Sequence, residues 1–140
     1  MHRPFALRGL DHVVLRVHDV ARIRAFYCEV LGCTLEREQP ELGLTQLRAG
    51  SSLIDLIAVD GKLGRSGGAA PARDGHNVDH ICLAISMFDE AGLRTYLASQ
   101  GAVVGESGVR YGAEGEGPSI YLVDPEGNGV ELKGPCGAGH

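Results

Sequence analysis

The segments that decide the fold are Leu10-Asp11-His12-Val13-Val14-Leu15-Arg16-Val17 and Asp79-His80-Ile81-Cys82-Leu83-Ala84-Ile85. Each contains an Asp-His pair within a largely apolar run, a pattern typical of a β-strand. The two His residues stand 68 positions apart. Apolar residues occupy both alternation phases of the first segment, which predicts a strand covered on both faces and a buried His12.

The first half continues with the signals of one helix and three strands. Asp19 is a suitable N-cap, apolar residues recur at helical spacing over 20–31, and Gly32 offers a stop. Strands are predicted over 34–39, 42–48 and 51–58, separated by Pro-Glu and Ala-Gly. The first half therefore reads β-α-β-β-β.

The second half repeats this order. A strand over 79–85, a helix over 88–100 and a strand over 102–106 are predicted, followed by a Gly-rich loop over 107–117 and a hairpin of strands 119–123 and 130–133. Within the loop, Val109-Arg110-Tyr111 is the alternative candidate for a strand. We expect an α+β fold in one domain, residues 1–140. Module one spans about 9–59, a linker about 60–77, module two about 78–133 and a tail 134–140.

Composition excludes several classes of protein. The net charge is −5 and no basic stripe alternates with aromatic residues, which argues against a nucleic-acid partner. No run approaches the ~20 apolar residues of a membrane span, and no signal peptide is evident. We therefore expect a cytoplasmic protein with no membrane partner, with its four cysteines reduced.

Four polar residues occupy equivalent positions of the repeat. Each half has a His early in its first strand, His12 or His80, and a carboxylate inside its last strand, Asp55 or Glu131. Carboxylates in apolar strands need a partner or a metal. Two imidazoles and two carboxylates would suit a divalent first-row metal. The alternative is that each His only hydrogen-bonds within its strand pair while each acid faces solvent.

Five blocks of sequence resemble the vicinal oxygen chelate superfamily, which includes glyoxalase I, extradiol dioxygenases and the fosfomycin and bleomycin resistance proteins. The blocks are 10–17, 26–32, 53–56, 79–84 and 120–132, the last being Ile-Tyr-Leu-Val-Asp-Pro-Glu-Gly-Asn-Gly-Val-Glu-Leu. The chain looks most like small glyoxalase-like proteins, some associated with virulence. The resemblance implies paired βαβββ modules forming a cup-shaped sheet around one divalent metal (Zn, Ni, Co, Mn or Fe), with His12, Asp55, His80 and Glu131 as its ligands.

The resemblance also implies substrate contacts. Arg16 matches the first-strand Arg that contacts the glutathione carboxylate in glyoxalase I, and Arg110 lies in the Gly-rich loop, where similar proteins close over substrate. Two positions depart from glyoxalase I. Asp55 stands where that enzyme has Glu, and Val59 lies near the position of its glutathione-binding Asn. The identity of the thiol, if one is used, therefore stays open.

The function that this pattern favours is a metal-dependent, glyoxalase-I-like lyase or isomerase. Its substrate would be a small α-oxo compound or its thiol adduct, converted through an enediolate with Glu131 as the base. The alternatives are an extradiol-type dioxygenase and a drug-binding or drug-modifying resistance protein of fosfomycin or bleomycin type. A homodimer is expected because short strands leave sheet edges for a partner to cover. By strand parity Cys82 shares the face of His80. It is a candidate to line the pocket there, but we expect it to be a small buried thiol of the core.

Overall fold

The computed structural model describes residues 3–72, 74–76 and 78–137, and the chain divides into two compact units, residues 1–70 and 71–140. Each unit has the order strand, helix and three strands, with its own four-stranded sheet. The predicted α+β class with two βαβββ modules is therefore confirmed. Among the described residues, no helix is long and apolar enough to cross a membrane.

The first unit contains β1 (His12–Val17), α1 (Val20–Ala25), a π-helical turn (Phe26–Val30), β2 (Thr34–Gln39), β3 (Leu44–Ala49) and β4 (Ser52–Ala58). The sheet order is β1-β4-β3-β2, with β1 and β4 parallel. Asp19 caps α1 as predicted, because its carboxylate accepts a hydrogen bond from the Arg22 backbone N–H at 3.1 Å. After the helical segment the chain turns at Gly32, whose φ of +88° favours glycine.

One face of the first sheet forms the core of this unit. Leu15 and Val17 of β1 are fully buried, as are Ile23 and Tyr27 of the helical segment. The opposite face of β1 is open, and His12 is exposed. The prediction of a strand covered on both faces was therefore wrong. The helix supplies apolar side chains to the Leu15 face alone, so the His12 face remains available for a polar site.

The second unit contains β5 (His80–Ala84), α2 (Glu90–Ser99), β6 (Val103–Gly112), β7 (Gly115–Val123) and β8 (Gly129–Lys133). Its sheet order, β5-β8-β7-β6, is equivalent to that of the first unit, and β5 and β8 are again parallel. Its buried apolar residues come from α2, β7 and β8: Leu97, Ile120, Leu122, Val130 and Leu132. In each unit, therefore, the strand that carries the His is paired in parallel with the strand that carries the carboxylate.

Strands β6 and β7 run through the stretch for which the sequence predicted a Gly-rich loop. They pair antiparallel from Ser107 opposite Ile120 to Gly112 opposite Gly115. The loop prediction over 107–117 was wrong, because most of its glycines do not serve turns, and the alternative strand at Val109-Arg110-Tyr111 is part of β6. Only Gly115 among them has a positive φ, +102°, and the others lie in extended strands. Arg110 is therefore a strand residue.

The turn between β7 and β8 sets the start of the strand that carries Glu131. The Asp124 carboxylate accepts hydrogen bonds from the backbone N–H groups of Glu126 and Asn128, both at 2.9 Å. The Asn128 amide donates to the same carboxylate at 2.8 Å. Asp and Asn readily stabilise turns in this way. This turn, whose two end residues Asp124 and Asn128 are buried, consequently holds β8 in register with β7.

Candidate metal-binding and catalytic site

Strands β1 and β4 bring His12 beside Asp55. His12 is paired with Leu53 and Val14 with Asp55. The side chains of His12 and Asp55 therefore lie on the same face of the sheet, offset by two residues along the strands. His12 Nε2 lies 3.9 Å from Asp55 Oδ2. Asp55 is 4% exposed, whereas the His12 side chain is 43% exposed. A buried carboxylate thus faces an imidazole that reaches the surface.

The two oxygens of Asp55 have different surroundings. Oδ2 accepts a hydrogen bond from Gln46 Nε2 at 3.1 Å, across the antiparallel β3–β4 pair. Oδ1 is buried and accepts no hydrogen bond from any described residue. An unsatisfied buried carboxylate oxygen is costly. A cation bound next to Asp55 Oδ1 would therefore stabilise this oxygen.

Strands β5 and β8 bring His80 beside Glu131 in the same way. His80 is paired with Gly129 and Cys82 with Glu131. His80 Nε2 lies 3.2 Å from Glu131 Oε1, and Ser119 Oγ donates to Glu131 Oε2 at 2.6 Å. Glu131 is 5% exposed. The alternative in which the two acids face solvent is therefore excluded.

Each His is also oriented by the Asp that precedes it. The Nδ1 atoms of His12 and His80 lie 2.8 Å and 2.7 Å from the carboxylates of Asp11 and Asp79. The hydrogen bond to Asp11, followed by the charge of Asp55, raises the pKa of His12 above its ordinary value. In each pair the preceding Asp therefore occupies Nδ1, which leaves Nε2, the nitrogen on the side of the buried carboxylate, as the atom that could bind a metal. Carboxylate partners of this kind fix the tautomer that binds a metal.

The sequence-predicted ligands thus come together as two pairs, His12 with Asp55 and His80 with Glu131. Within residues 3–72, 74–76 and 78–137, no group of three or more His, Cys, Asp or Glu side chains is arranged to hold a metal ion. Each pair presents one imidazole nitrogen and one carboxylate oxygen, which are donors that first-row divalent metals accept. Convergence of both pairs on one metal stays a prediction.

Arg16 lies on the face of β1 that carries His12, as strand parity predicts. Its guanidinium donates four hydrogen bonds to backbone carbonyls of one loop, those of Gly64, Gly67, Gly68 and Ala69, at 2.8–3.1 Å. Arg16 therefore ties this loop to β1. Its contact with a substrate carboxylate stays a prediction, and that contact would have to replace some of these bonds.

We expect Arg16→Met to lower the free energy of unfolding by about 1–3 kcal/mol, because it removes the donors from several loop carbonyls while it keeps the apolar stem. Urea denaturation of the two proteins measures the difference. Arg8→Met is the matched control, since Arg8 is exposed; its effect should stay within about 0.5 kcal/mol. Equal effects of the two substitutions would contradict a structural role for Arg16.

Arg110 and Tyr121 extend the polar face of the second unit. Arg110 Nε donates to the Tyr121 hydroxyl at 3.2 Å, and its guanidinium carbon lies 5.4 Å from the centre of the Tyr121 ring. That ring meets His80 edge to face, with centroids 5.8 Å apart. Sequence reasoning missed Tyr121. The predicted hairpin of β7 and β8 could have identified it, because the register of these strands places Tyr121 opposite Glu131.

Cys82 shares this face, but it is exposed, so the expectation of a buried thiol was wrong. Because the exposed residue is still partly covered by its neighbours, partial desolvation of the thiol, followed by the negative charge of Glu131, raises the pKa of Cys82 to about 11. The group is therefore a neutral thiol near pH 7 and a poor nucleophile.

The first unit also has a cavity of about 810 Å³ between its helical segment and strands β2 and β3. Arg24, Cys28, Cys33 and Glu38 are among the residues that line it, and neither member of the His12–Asp55 pair is. This cavity therefore lies apart from the His12–Asp55 pair.

A family model, that of the Glyoxalase/Bleomycin resistance protein/Dioxygenase superfamily, matches residues 9–132. The chain belongs to this superfamily. The matched range includes both His–carboxylate pairs, and the resemblance found from the sequence is confirmed. This member of the superfamily thus carries an equivalent His–carboxylate pair in each βαβββ unit.

Solved structures of the same kind include a virulence protein from Salmonella typhimurium, with 24% identity, a TM-score of 0.76, and coverage of 94% of this chain and 99% of that one. An integron cassette protein from the mobile metagenome of V. cholerae is 26% identical, with a TM-score of 0.69 and coverage of 93% and 97%. A lactoylglutathione lyase from Agrobacterium tumefaciens is 20% identical, with a TM-score of 0.62 and coverage of 94% and 96%. At 24% and 20% identity, the similarities to the virulence protein and to the lactoylglutathione lyase show a shared fold alone.

Proposed function

We propose that this superfamily member is a metal-dependent lyase or isomerase of glyoxalase-I type, acting on a small α-oxo compound or its thiol adduct. The observation that carries the proposal is the duplicated pair, in which a buried carboxylate faces His Nε2 while an Asp holds Nδ1. A single His–Asp contact is common in proteins. The same contact at equivalent register positions of two units is better explained by a shared task.

In this proposal His12, Asp55, His80 and Glu131 hold one divalent cation. The donor set of two nitrogens and two oxygens fits Zn, Ni, Co, Mn or Fe. The buried Asp55 Oδ1, which lacks a hydrogen bond within the described part of the chain, supports a cationic partner on that side. When bound, the metal supplies Lewis-acid polarisation of a substrate carbonyl.

Glu131 is the proposed general base, which moves a proton between adjacent carbons of the substrate. Its side chain is one methylene longer than that of Asp55, so it has the greater reach. Ser119 Oγ donates to Oε2 at 2.6 Å and so orients the carboxylate, while Oε1 faces His80. The Tyr121 ring and the Arg110 guanidinium border the same face and are the proposed substrate contacts of this unit.

The test of the proposal is reconstitution of metal-free protein with each candidate metal, followed by assay of methylglyoxal with and without thiols. Conversion to a hydroxy acid or its thioester supports the proposal. Metal binding with oxygen uptake on catechols would instead favour a dioxygenase. Absence of metal binding with tight binding of bleomycin would favour a resistance protein.

We further expect a homodimer in solution. Strand β6 is an edge of the second sheet and exposes three large apolar side chains, Val103, Val109 and Tyr111. Such an edge favours pairing with a second copy. Light scattering across a wide range of protein concentration should give twice the chain mass of 14.8 kDa. A monomer at every concentration would contradict this expectation.

A further inference from the structure

Gln46 is a polar residue beside the His12–Asp55 pair to which neither the sequence pattern nor the proposed proton transfer gives a role. It lies in β3 directly opposite Asp55 of β4, and its Nε2 donates to Asp55 Oδ2 at 3.1 Å. His12 Nε2 lies 3.9 Å from that same oxygen. The amide and the imidazole therefore meet at one oxygen of the buried carboxylate.

Gln46 supplies the only hydrogen bond to the Asp55 carboxylate within residues 3–72, 74–76 and 78–137. Oδ1 accepts none, and Asp55 is 4% exposed, so water does little to hold the side chain. Without the amide, both oxygens would be buried and lack a donor, which is costly. The orientation of the Asp55 carboxylate thus depends on Gln46.

The two arginines that share this face of the first sheet are engaged elsewhere. Arg48, two residues after Gln46 in β3, donates to both oxygens of Glu36 at 3.1 Å. Arg16 donates to the carbonyls of its loop. No Lys or Arg of the described residues forms an ion pair with Asp55. The neutral amide therefore orients this carboxylate without neutralising its charge.

The second unit also holds its carboxylate with one neutral donor. Ser119 Oγ donates to Glu131 Oε2 at 2.6 Å, while Oε1 faces His80. In each sheet the carboxylate strand lies between the strand that carries the His and the strand that carries this donor. The amide and the hydroxyl differ in register, since Gln46 is opposite Asp55 and Ser119 is two residues from the position opposite Glu131. Both units thus meet the same requirement with different side chains.

We infer that Gln46 is a positioning residue of the proposed metal site, whose neutral amide fixes the Asp55 carboxylate and leaves its charge for a divalent cation. This inference rests on the proposed function and adds to it a residue outside the four proposed ligands. Partners that orient a metal ligand in this way contribute about 10–100-fold to metal affinity. A cation at position 46 would do the opposite, because it would pair with Asp55 and repel the metal.

The experiment measures binding of Co²⁺ to metal-free protein by calorimetric titration. Gln46→Met keeps a similar side-chain length but removes the donor, and it should weaken binding by about 10–100-fold. Gln46→Lys supplies a donor that carries a charge, and it should weaken binding further. Gln100→Met is the matched control, since Gln100 is exposed, and it should bind Co²⁺ like the parent. If the amide only stabilised the fold, Gln46→Met would lower the free energy of unfolding and leave the Co²⁺ affinity of the folded protein unchanged.

The visible absorption spectrum of bound Co²⁺ gives a second readout, because it depends on the arrangement of the ligands and not on folding stability. At saturating Co²⁺, the spectrum of Gln46→Met should differ from that of the parent. Unchanged affinity overturns the inference, and so does a lower affinity with the parent spectrum. In the parent itself, Zn²⁺ should shift the NMR signal of the Gln46 side-chain amide and leave that of Gln100 in place. An unmoved Gln46 signal overturns the inference even where Gln46→Met does not fold.

Metal binding by the parent separates this inference from the proposed function. If the parent binds Co²⁺ and Gln46→Met binds it equally well, the role of Gln46 fails while the metal site stands. If the parent binds no metal, the ¹⁵N signal of His12 Nε2 in the metal-free protein decides. A shift of that signal in Gln46→Met would leave the positioning of Asp55 against His12 standing while the proposed function fails. An unshifted signal would overturn both.

Discussion

Glu131→Gln should lower the turnover of metal-loaded protein by about 10²–10⁴-fold, the range expected when a general base is lost. Glutamine keeps the length of the side chain and an oxygen that can coordinate, but it accepts no proton near neutral pH. Bound metal should be partly retained. The measurement is kcat divided by the measured metal content, on the substrate that the reconstitution assay identifies.

Asp55→Asn is the matched comparison, because the two carboxylates occupy equivalent register positions. It should reduce metal affinity more than the turnover of the loaded fraction. Normal turnover by loaded Glu131→Gln together with slow turnover by Asp55→Asn would reverse the two roles. Normal turnover by both variants would leave the proposed lyase without a carboxylate base.

His80→Ala and His12→Ala should each weaken metal binding by more than about 100-fold. Loss of a group that only orients a ligand costs about 10–100-fold, and loss of the ligand itself should cost more. Elemental analysis after dialysis, or calorimetric titration of the metal-free protein, measures the effect. The stoichiometry of the parent should be about one metal per pair of units.

The controls for these substitutions are His18→Ala and His76→Ala, which remove exposed imidazoles that belong to neither pair. Both controls should bind metal like the parent. If His12→Ala or His80→Ala also binds metal normally, the four-ligand proposal is wrong. A loss of folding stability without a change in metal affinity would then identify the two pairs as structural His–carboxylate contacts.

The repeat, and with it the pairing of each His with its carboxylate, could be predicted from the sequence. Asp-His at the start of one strand and a carboxylate in the middle of another recur at offsets of 68 and 76 residues. Parallel pairing of the first and last strands then places His12 with Asp55 and His80 with Glu131. These features depend on strand periodicity, which is local and therefore visible in a single sequence.

The helix cap at Asp19 and the turn from Asp124 to Asn128 could also be predicted from the sequence, because they depend on local interactions. Both depend on side chains that hydrogen-bond to backbone groups only a few residues away. The sequence by itself therefore determined the order of elements, the α+β class and the residues of both pairs.

Only the tertiary structure shows the features that depend on contacts between residues distant in sequence. Pairing with β7 turned a Gly-rich stretch into strand β6, because ladder hydrogen bonds outweighed the turn preference of its glycines. The loop carbonyls that engage Arg16 come from 48–53 residues away. The Lys133 side chain lies against Gly112 and Gly117 of two other strands, where a Cβ would come within 3.0–3.1 Å of it. Side-chain partners and burial are set by residues distant in sequence, so no periodicity could have predicted them.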